Sequence, residues 1–243
     1  MYSKNRIYIN DANQQKIKKC RLLIAGAGLG SVISECALRL GFEHITIIDY
    51  DLVELSNLNR QNYVQHDVGK LKVEAIAKRL KSINPDATIN YHSVCLGKSN
   101  LDQYVTDFDV AINTIDFTSD APFLFDEFCL NQEKLVLHPF NLGWAGCVFT
   151  IDNSSKNLAD ITGISGGAEK AIVRFILSNT KNQNTEWLYQ ALNEFEQETA
   201  VSSPPQLAVA SWITAGICTR IAFDYAVGNK ILTLPEFYFL SLG

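Results

Sequence analysis

Charged and polar side chains that could bind a nucleotide are concentrated in residues 45–72. An apolar run there ends in two acids, Asp49 and Asp51. Four side chains that can contact phosphate groups follow in the same stretch: Asn57, Arg60, Gln61 and Lys72. Paired carboxylates suit ribose hydroxyls or a metal ion, and cationic side chains suit phosphate oxygens. The stretch therefore predicts a contact surface for a nucleoside triphosphate.

A glycine turn, GAGLGS at residues 26–31, precedes this stretch and follows the apolar run LLIA. Its glycines are Gly26, Gly28 and Gly30. They let the backbone approach a phosphate, and the free N–H groups of the following helix favour an anion. The turn departs from the G-x-G-x-x-G dinucleotide pattern, because its sixth position is Ser31. Asp49 lies about 20 residues downstream, as the ribose-binding acid does in such folds. A tight turn without a ligand is the alternative.

The apolar runs predict an α/β fold of the Rossmann type, with a mostly parallel sheet and helices on both faces. Strand, glycine turn, helix and strand follow one another up to Asp49, which is the order of a βαβ unit. A further apolar strand, FDVAINTID, is predicted to end in Asp116. Because ligands of open parallel sheets bind at the carboxyl ends of the strands, we expect Asp116 and Asp49 to face the same crevice.

The second half of the chain predicts an antiparallel extension of the sheet and a C-terminal helical segment. KLVLHPF and GWAGCVFTI have the composition of paired strands, and residues 206–227 predict an apolar helix that is buried or lies in a dimer interface. Residues 152–204 are turn-rich and helical, with a loop at 199–206, and are expected to cover the site. We expect one nucleotide-binding domain over residues 1–243, with residues 1–20 as an N-terminal arm.

Composition argues against several classes of protein. A net charge of −5 without a clustered basic face argues against a general nucleic-acid-binding protein. No apolar run reaches the roughly 18 residues of a membrane span, and the polar N-terminal stretch lacks a secretory signal, so a cytoplasmic protein is expected. The six cysteines form no CxxC pair, which argues against a zinc site.

Several separate motifs resemble those of one family. They are GAGLGS, IIDYDLVELSNLNRQ, VGKLK, INP, NTID and PQLAVAS, which together span roughly residues 6–228. The most specific of them is SNLNRQ, followed by a lysine twelve residues past its arginine. In these motifs the chain resembles the ubiquitin-activating-enzyme-like adenylyltransferases of the ThiF/MoeB type.

The resemblance implies a reaction and a set of roles. In that family the carboxylate at a protein's C-terminus attacks the α-phosphate of ATP·Mg, which gives an acyl-adenylate and pyrophosphate. By position, Asp49 would bind the ribose. The phosphates would be held by three residues: Asn57, Arg60 and Lys72. Asp116 would lie at the Mg²⁺ and the incoming carboxylate, and Arg6 would reach the ATP of the partner in a homodimer. The implied substrate is a small ubiquitin-like or sulfur-carrier protein.

The chain departs from the family pattern after Asp116, which bears on ATP turnover, and in the crossover segment, which bears on the later transfer step. Asp116 is followed by Phe117 where the family usually has asparagine, and the arginine a few residues later is absent. Relatives that transfer the acyl group to themselves use a cysteine in the crossover segment, but residues 148–217 contain none. The resemblance therefore implies attack on the adenylate by an external nucleophile, without a covalent cysteine step. Cys129 and Cys147 are the nearest candidates, and both are expected to be core residues.

Three other functions stay open at this point. A related enzyme, the cyclic-threonylcarbamoyladenosine dehydratase, activates a carboxylate on tRNA, although the acidic balance of this chain argues against tRNA as a partner. The altered glycine turn and the residues after Asp116 would also fit a non-catalytic nucleotide-binding or scaffold subunit. An NAD-linked oxidoreductase would have the same predicted fold, but this function would not explain Arg60 and Lys72.

Overall fold

The computed structural model describes residues 1–163, 167–180, 184–198 and 203–243. The strands of this part are β1 (Arg21–Ala25), β2 (His44–Ile48), β3 (Thr88–His92), β4 (Val110–Asn113), β5 (Leu135–Asn141), β6 (Ala145–Ile151) and β7 (Tyr238–Ser241). They form one sheet in the order β3-β2-β1-β4-β5-β6-β7. The pairs from β3 to β5 are parallel, whereas β6 and β7 are added antiparallel. The predicted α/β fold with an antiparallel extension is therefore confirmed.

Helices cover both faces of the sheet. They are α1 (Asp11–Lys19), α2 (Leu29–Leu40), α3 (Lys72–Ile83), α4 (Leu101–Tyr104), α5 (Ala121–Asn131), α6 (Ala159–Thr162), α7 (Ala168–Asn179), α8 (Glu186–Gln197) and α9 (Ala208–Val227). Helices α1, α2, α3 and α9 bury their apolar sides in one cluster, and α4 and α5 do so in a second cluster across the sheet. Within the described ranges, no helix is long and apolar enough to cross a membrane.

The central strand β1 shows why the parallel sheet has apolar runs rather than alternating ones. Leu22 and Ile24 belong to the cluster on one face, and Leu23 and Ala25 belong to the cluster on the other. A strand covered by helices on both sides must be apolar at every position. The extension is covered differently, because β6 packs on α7 in a third apolar cluster.

Two predicted boundaries were wrong, both next to the glycine turn. Strand β4 ends at Asn113, so Asp116 lies in the following loop. The chain turns there because the Asn113 Oδ1 accepts the N–H of Ile115 at 3.2 Å and the Thr114 hydroxyl donates to the carbonyl of Ala25 at 2.9 Å. Helix α2 already begins at Leu29, within the turn. Part of the predicted loop 199–206, residues 199–202, lies outside the described residues.

One buried carboxylate joins α2, α3 and the loop that precedes α3. Glu35 is 3% exposed and accepts hydrogen bonds from Arg39 at 2.8 Å, from Asn62 at 3.0 Å and from Arg79. Burial by itself would raise the pKa of Glu35, but the hydrogen bonds from Arg79 and Arg39 bring it below its ordinary value. Because Asn62 directly follows the SNLNRQ motif, this cluster fixes the loop that carries the predicted site.

Replacing Glu35 with glutamine should lower the free energy of unfolding by about 1–3 kcal/mol at neutral pH, because two arginines lose a buried charged acceptor. Since the folded pKa of Glu35 is depressed, its contribution is present above the unfolded value of about 4.3 and is lost as pH falls through the folded value. Urea unfolding across this pH window should therefore show weaker acid sensitivity in the variant. The exposed control Glu236→Gln should match the wild type, and identical curves for Glu35→Gln would contradict this account.

Candidate nucleotide-binding site

A cavity of about 360 Å³ opens at the carboxyl ends of the parallel strands. Its wall contains eight of the predicted site residues: Gly26, Gly28, Asp49, Asp51, Arg60, Gln61, Lys72 and Asp116. They come from the turn after β1, the segment after β2, the start of α3 and the loop after β4. Residues far apart in the sequence thus meet where an open parallel sheet binds its ligand.

The glycine turn is shaped by contacts with the turn after β4. Gly26 has a φ of +95°, and a Cβ atom there would lie 2.4 Å from the Thr114 hydroxyl oxygen. Ser31, which replaces the last glycine of the dinucleotide pattern, donates its hydroxyl to the carbonyl of Gly28 at 2.6 Å and accepts the N–H of Asn62 at 3.0 Å. The serine therefore joins the turn to the SNLNRQ segment, a contact that glycine cannot make.

Three predicted residues do not line the cavity. Gly30 lies where α2 crosses β1, and a Cβ atom there would come within 2.6 Å of a β1 side chain. Asn57 is buried and caps a short 3₁₀ turn, with its Oδ1 accepting the N–H of Glu54 at 3.0 Å. Arg6 is exposed and donates to the carbonyl of Ser3 at 3.3 Å. The roles of Asn57 and Arg6 toward phosphate stay predictions.

Asp49 holds the end of β2 against the glycine turn. Its Oδ2 accepts the N–H of Ala27 at 2.5 Å, and its Oδ1 accepts the N–H of Asp51 at 2.7 Å. Burial raises the pKa of Asp49 despite these two bonds. The neighbouring Asp51 accepts from the buried Lys72 ammonium at 2.7 Å, so the second acid and the lysine form an ion pair in the cavity wall.

Arg60 is a half-buried cation whose hydrogen-bond partners among the described residues are all neutral. Its Nε donates to the side chain of Gln206 at 2.6 Å, and one Nη donates to the carbonyl of Ser56 at 2.9 Å. Among the described residues, none of the ion pairs includes Arg60. Burial lowers its pKa, and an anion in the cavity would compensate the desolvated charge. Gln206 lies in PQLAVAS, so Arg60 also joins two of the motifs.

Asp116 can contribute to a Mg²⁺ site but does not form one with other residues. It is exposed, and its Oδ1 accepts the N–H of Thr118 at 3.2 Å. Throughout the part of the chain that the structure describes, no group of three or more His, Cys, Asp or Glu side chains is arranged to hold a metal ion. Mg²⁺ is commonly held by one or two carboxylates together with phosphates and water. Asp116 therefore fits Mg²⁺ that enters with a nucleotide.

Among the residues of the cavity wall that the sequence did not predict, Cys95 and His138 have side chains that could do chemistry. Cys95 is exposed there, whereas Cys129 and Cys147 are buried as expected, and burial raises the pKa of both thiols. His138 also lines the cavity, with its Nε2 2.6 Å from a carboxylate oxygen of Asp126. A histidine inside the apolar run KLVLHPF was the available signal, but the carboxylate partner lies on a separate helix.

A second cavity of about 420 Å³ adjoins the first. The two share part of their walls: Asn141, Leu142, Glu169, Val173, Pro204 and Gln206. The second cavity is lined mainly by apolar and aromatic side chains of α8 and the segment before α9. Trp187 lines this cavity, and its Nε1 atom is enclosed by the protein and has no hydrogen-bond partner among the described residues. Residues of the 152–204 segment thus form walls of both cavities.

The sequence pattern that defines the ThiF family matches residues 2–222 of this chain. This chain belongs to the ThiF family. One relative is the tRNA threonylcarbamoyladenosine dehydratase of Haemophilus influenzae, which is 32% identical over 94% of this chain and 84% of its own length.

Other relatives of this ThiF-family chain are longer proteins. The probable molybdopterin-synthase adenylyltransferase of Gracilaria tenuistipitata var. liui is 32% identical over 57% of this chain. The sulfur carrier protein ThiS adenylyltransferase of Bacillus subtilis is 30% identical over 62% of it. The chain covers only 39% and 46% of these two proteins.

Solved structures have the same fold. The crystal structure of E. coli MccB with ATP superimposes with a TM-score of 0.69 over 95% of this chain and 66% of MccB, at 16% identity. The crystal structure of PaaA gives a TM-score of 0.67 over 95% of this chain and 72% of PaaA, at 22% identity. At these identities the likeness extends to the fold alone.

Replacing Gly26 with alanine should cost more stability than replacing Gly69, whose φ is also positive at +85° but which has open space around its Cβ position. We expect about 1–2 kcal/mol for Gly69→Ala from the backbone conformation alone. Gly26→Ala should lose about 1–3 kcal/mol more through its overlap with Thr114. Chemical unfolding of both variants measures the difference, and equal losses would show that the close approach at Gly26 is unimportant.

Proposed function

We propose that this ThiF-family protein adenylates a carboxylate, the C-terminal glycine of a small ubiquitin-like or sulfur-carrier protein. The carboxylate attacks the α-phosphate of ATP, and pyrophosphate leaves. The proposal is supported chiefly by Arg60, a half-buried cation that lines the same cavity as Asp49 and has no acidic partner among the described residues. The relatives named as adenylyltransferases support this class of reaction.

The nucleotide is proposed to bind along the turn after β1. No side chain of the described residues caps the start of α2, so the N–H groups of Leu29 and Gly30 are available to a phosphate, whereas that of Ser31 donates to the carbonyl of Gly28. Gly26 and Gly28 keep the backbone close to the ligand, and Asp49 retains lone pairs for the ribose hydroxyls. Beside this turn the Oε1 atom of Gln61 is enclosed and makes no hydrogen bond with any described residue, so the Gln61 side chain must rotate before that atom can accept from a nucleotide.

Charge neutralisation is the main catalytic contribution of the site. Attack of a carboxylate on a phosphate brings two anions together, so fixed cations and alignment matter more than proton transfer. Arg60 supplies one charge, and Lys72 supplies another by moving from Asp51 toward the phosphates, with Asn57 fixing the loop between them. When bound, Mg²⁺ would supply further positive charge at Asp116.

The N-terminal arm is proposed to contact a second copy of the chain. Arg6 is followed by Ile7 and Tyr8, whose surfaces are 93% and 89% exposed. Two neighbouring large apolar side chains beside a cation form a surface that another protein could cover. In such a homodimer Arg6 would contact the nucleotide of the partner.

Pyrophosphate exchange into ATP tests the reaction directly. With carrier proteins that end in Gly-Gly, the wild type should catalyse exchange between labelled pyrophosphate and ATP, because formation of an adenylate is reversible. If Mg·ATP binds but no carrier supports exchange, the proposed reaction is wrong.

Arg60→Gln should weaken binding of Mg·ATP about 10- to 100-fold, because a hydrogen bond from a charged donor is worth about 1.5–3 kcal/mol. The control is Arg174→Gln, since Arg174 is exposed and paired with Glu196 away from the cavity. Calorimetric titration measures both variants. Equal affinities for Arg60→Gln and the wild type would exclude Arg60 as a phosphate ligand.

The second cavity is proposed to hold apolar residues of the carrier next to its terminal glycine. Trp187→Ala should raise the KM for the carrier about tenfold and leave the KM for ATP within about twofold, because it removes an aromatic anchor outside the nucleotide site. Trp212→Ala is the control, since Trp212 is 52% exposed and lines neither cavity. A change in the KM for ATP alone would contradict the assignment.

A second candidate function is activation of a carboxylate on tRNA. It is favoured by the Haemophilus influenzae dehydratase, which this chain matches over nearly its full length. The net charge of −5 argues against tRNA as a binding partner. Exchange that is stimulated by tRNA, and not by any carrier protein, would establish this candidate in place of the first.

A further inference from the structure

A row of buried, hydrogen-bonded polar side chains links two strands and a helix. It lies at the wall of the first cavity, the proposed nucleotide cavity, which has a volume of about 360 Å³. Asp126 on α5 is 4% exposed and accepts the amide of Asn113 at 2.8 Å through one oxygen. Its other oxygen lies 2.6 Å from Nε2 of His138, which is 2% exposed. His138 and Asn113 are neighbours, because Leu137 pairs with Ile112 in the parallel register of β4 and β5.

The second nitrogen of this imidazole faces the cavity. Nδ1 of His138 makes no hydrogen bond with any described residue, and it is not among the fully enclosed side-chain atoms that lack a partner. Because His138 lines the nucleotide cavity, that cavity is the space to which Nδ1 is open. The ring also stacks on Phe140, with the ring centroids 6.3 Å apart.

Asp126 determines which nitrogen carries the proton. In the part of the chain that is described, Asp126 forms no ion pair with a lysine or an arginine, and its side chain contacts the amide of Asn113 and the imidazole of His138. A buried carboxylate is stable only when it accepts hydrogen bonds. An ionised Asp126 can only accept, so Nε2 carries a hydrogen and Nδ1 presents a lone pair to the cavity. If Nδ1 then takes up a proton, the buried carboxylate stabilises the imidazolium, as in a catalytic triad.

We propose that His138 is the general base of the step that consumes the acyl-adenylate, with Asp126 as its positioning residue. This inference rests on the proposed function. An amine or hydroxyl nucleophile attacks the acyl carbon and forms the new C–N or C–O bond. The bond between that carbon and the AMP oxygen breaks, AMP leaves with the electron pair, and the proton of the nucleophile passes to Nδ1.

The lack of a cysteine in the crossover segment makes such a base useful. Residues 148–217 contain no thiol, and thiolates need little help because cysteine ionises near pH 8.5. An amine or alcohol, in contrast, must lose a proton as it attacks, and a positioned base typically contributes about 10²–10⁴-fold to that step. The presence of His138 therefore favours a nitrogen or oxygen nucleophile over a thiol.

The test separates the two half-reactions. Enzyme-bound adenylate is formed from ATP and a Gly-Gly carrier with pyrophosphatase present, and n-propylamine is then added as the nucleophile. In His138→Asn the rate of carrier–propylamide formation should fall about 10²-fold, a much larger loss than the loss in pyrophosphate exchange. Asp126→Asn should show the same imbalance to a smaller degree. His66→Asn, at an exposed histidine, should match the wild type in both assays.

Failure of the His138 assignment and failure of the proposed function would give different results. Equal losses of exchange and amide formation in His138→Asn would overturn the assignment, because His138 would then serve substrate binding or folding. An unchanged amide rate would also overturn it. Absence of exchange in the wild type, with carriers and with tRNA, would instead refute the proposed function.

Chemical modification tests the placement of His138 independently of any carrier. Diethyl pyrocarbonate modifies accessible, unprotonated imidazole nitrogens, and mass spectrometry locates the products. His138 should react in the free protein and lose that reactivity in saturating Mg·ATP, whereas His66 should react equally in both. A His138 that never reacts, or that reacts equally with ATP present, would overturn the proposal.

Discussion

The contact between Asp49 and the glycine turn is the interaction on which the site depends. Its two oxygens accept the N–H groups of Ala27 and Asp51, which fixes the turn after β1 against the segment after β2. Burying this carboxylate is costly, and its raised pKa reflects that cost. The arrangement keeps an acid at the nucleotide cavity while the backbone of the turn stays open to an anion. The segment after β2 also carries Arg60, and it leads directly into α3, which begins at Lys72.

The charges of the cavity are only partly compensated within the protein. Lys72 is paired with Asp51, whereas Arg60 has only neutral partners within the described ranges and Asp116 is exposed. A site that binds a triphosphate needs cations that are not already neutralised by carboxylates, and an acid that can share a metal with the phosphates. The adjoining apolar cavity is where we propose that the molecule carrying the carboxylate binds. Together these features favour transfer of an adenylyl group over binding of a plain dinucleotide.

The sequence predicted the sheet, most helices and eight residues of the cavity wall, because these follow from apolar periodicity and short motifs. It did not predict that β4 stops before Asp116, since that turn depends on hydrogen bonds from Asn113 and Thr114. The pairing of His138 with Asp126 was missed for a similar reason. Periodicity reports which face of an element is buried, but it does not report which polar groups meet across elements.

The central claim, that a carboxylate oxygen attacks the α-phosphate of ATP, is tested most directly by isotope transfer. A Gly-Gly carrier labelled with ¹⁸O in its terminal carboxylate would be incubated with the enzyme, Mg·ATP and an amine. We predict that ¹⁸O appears in AMP, because the oxygen that joins the acyl group to phosphorus leaves with the nucleotide. Appearance of the label in orthophosphate, with ADP as the nucleotide product, would contradict adenylation.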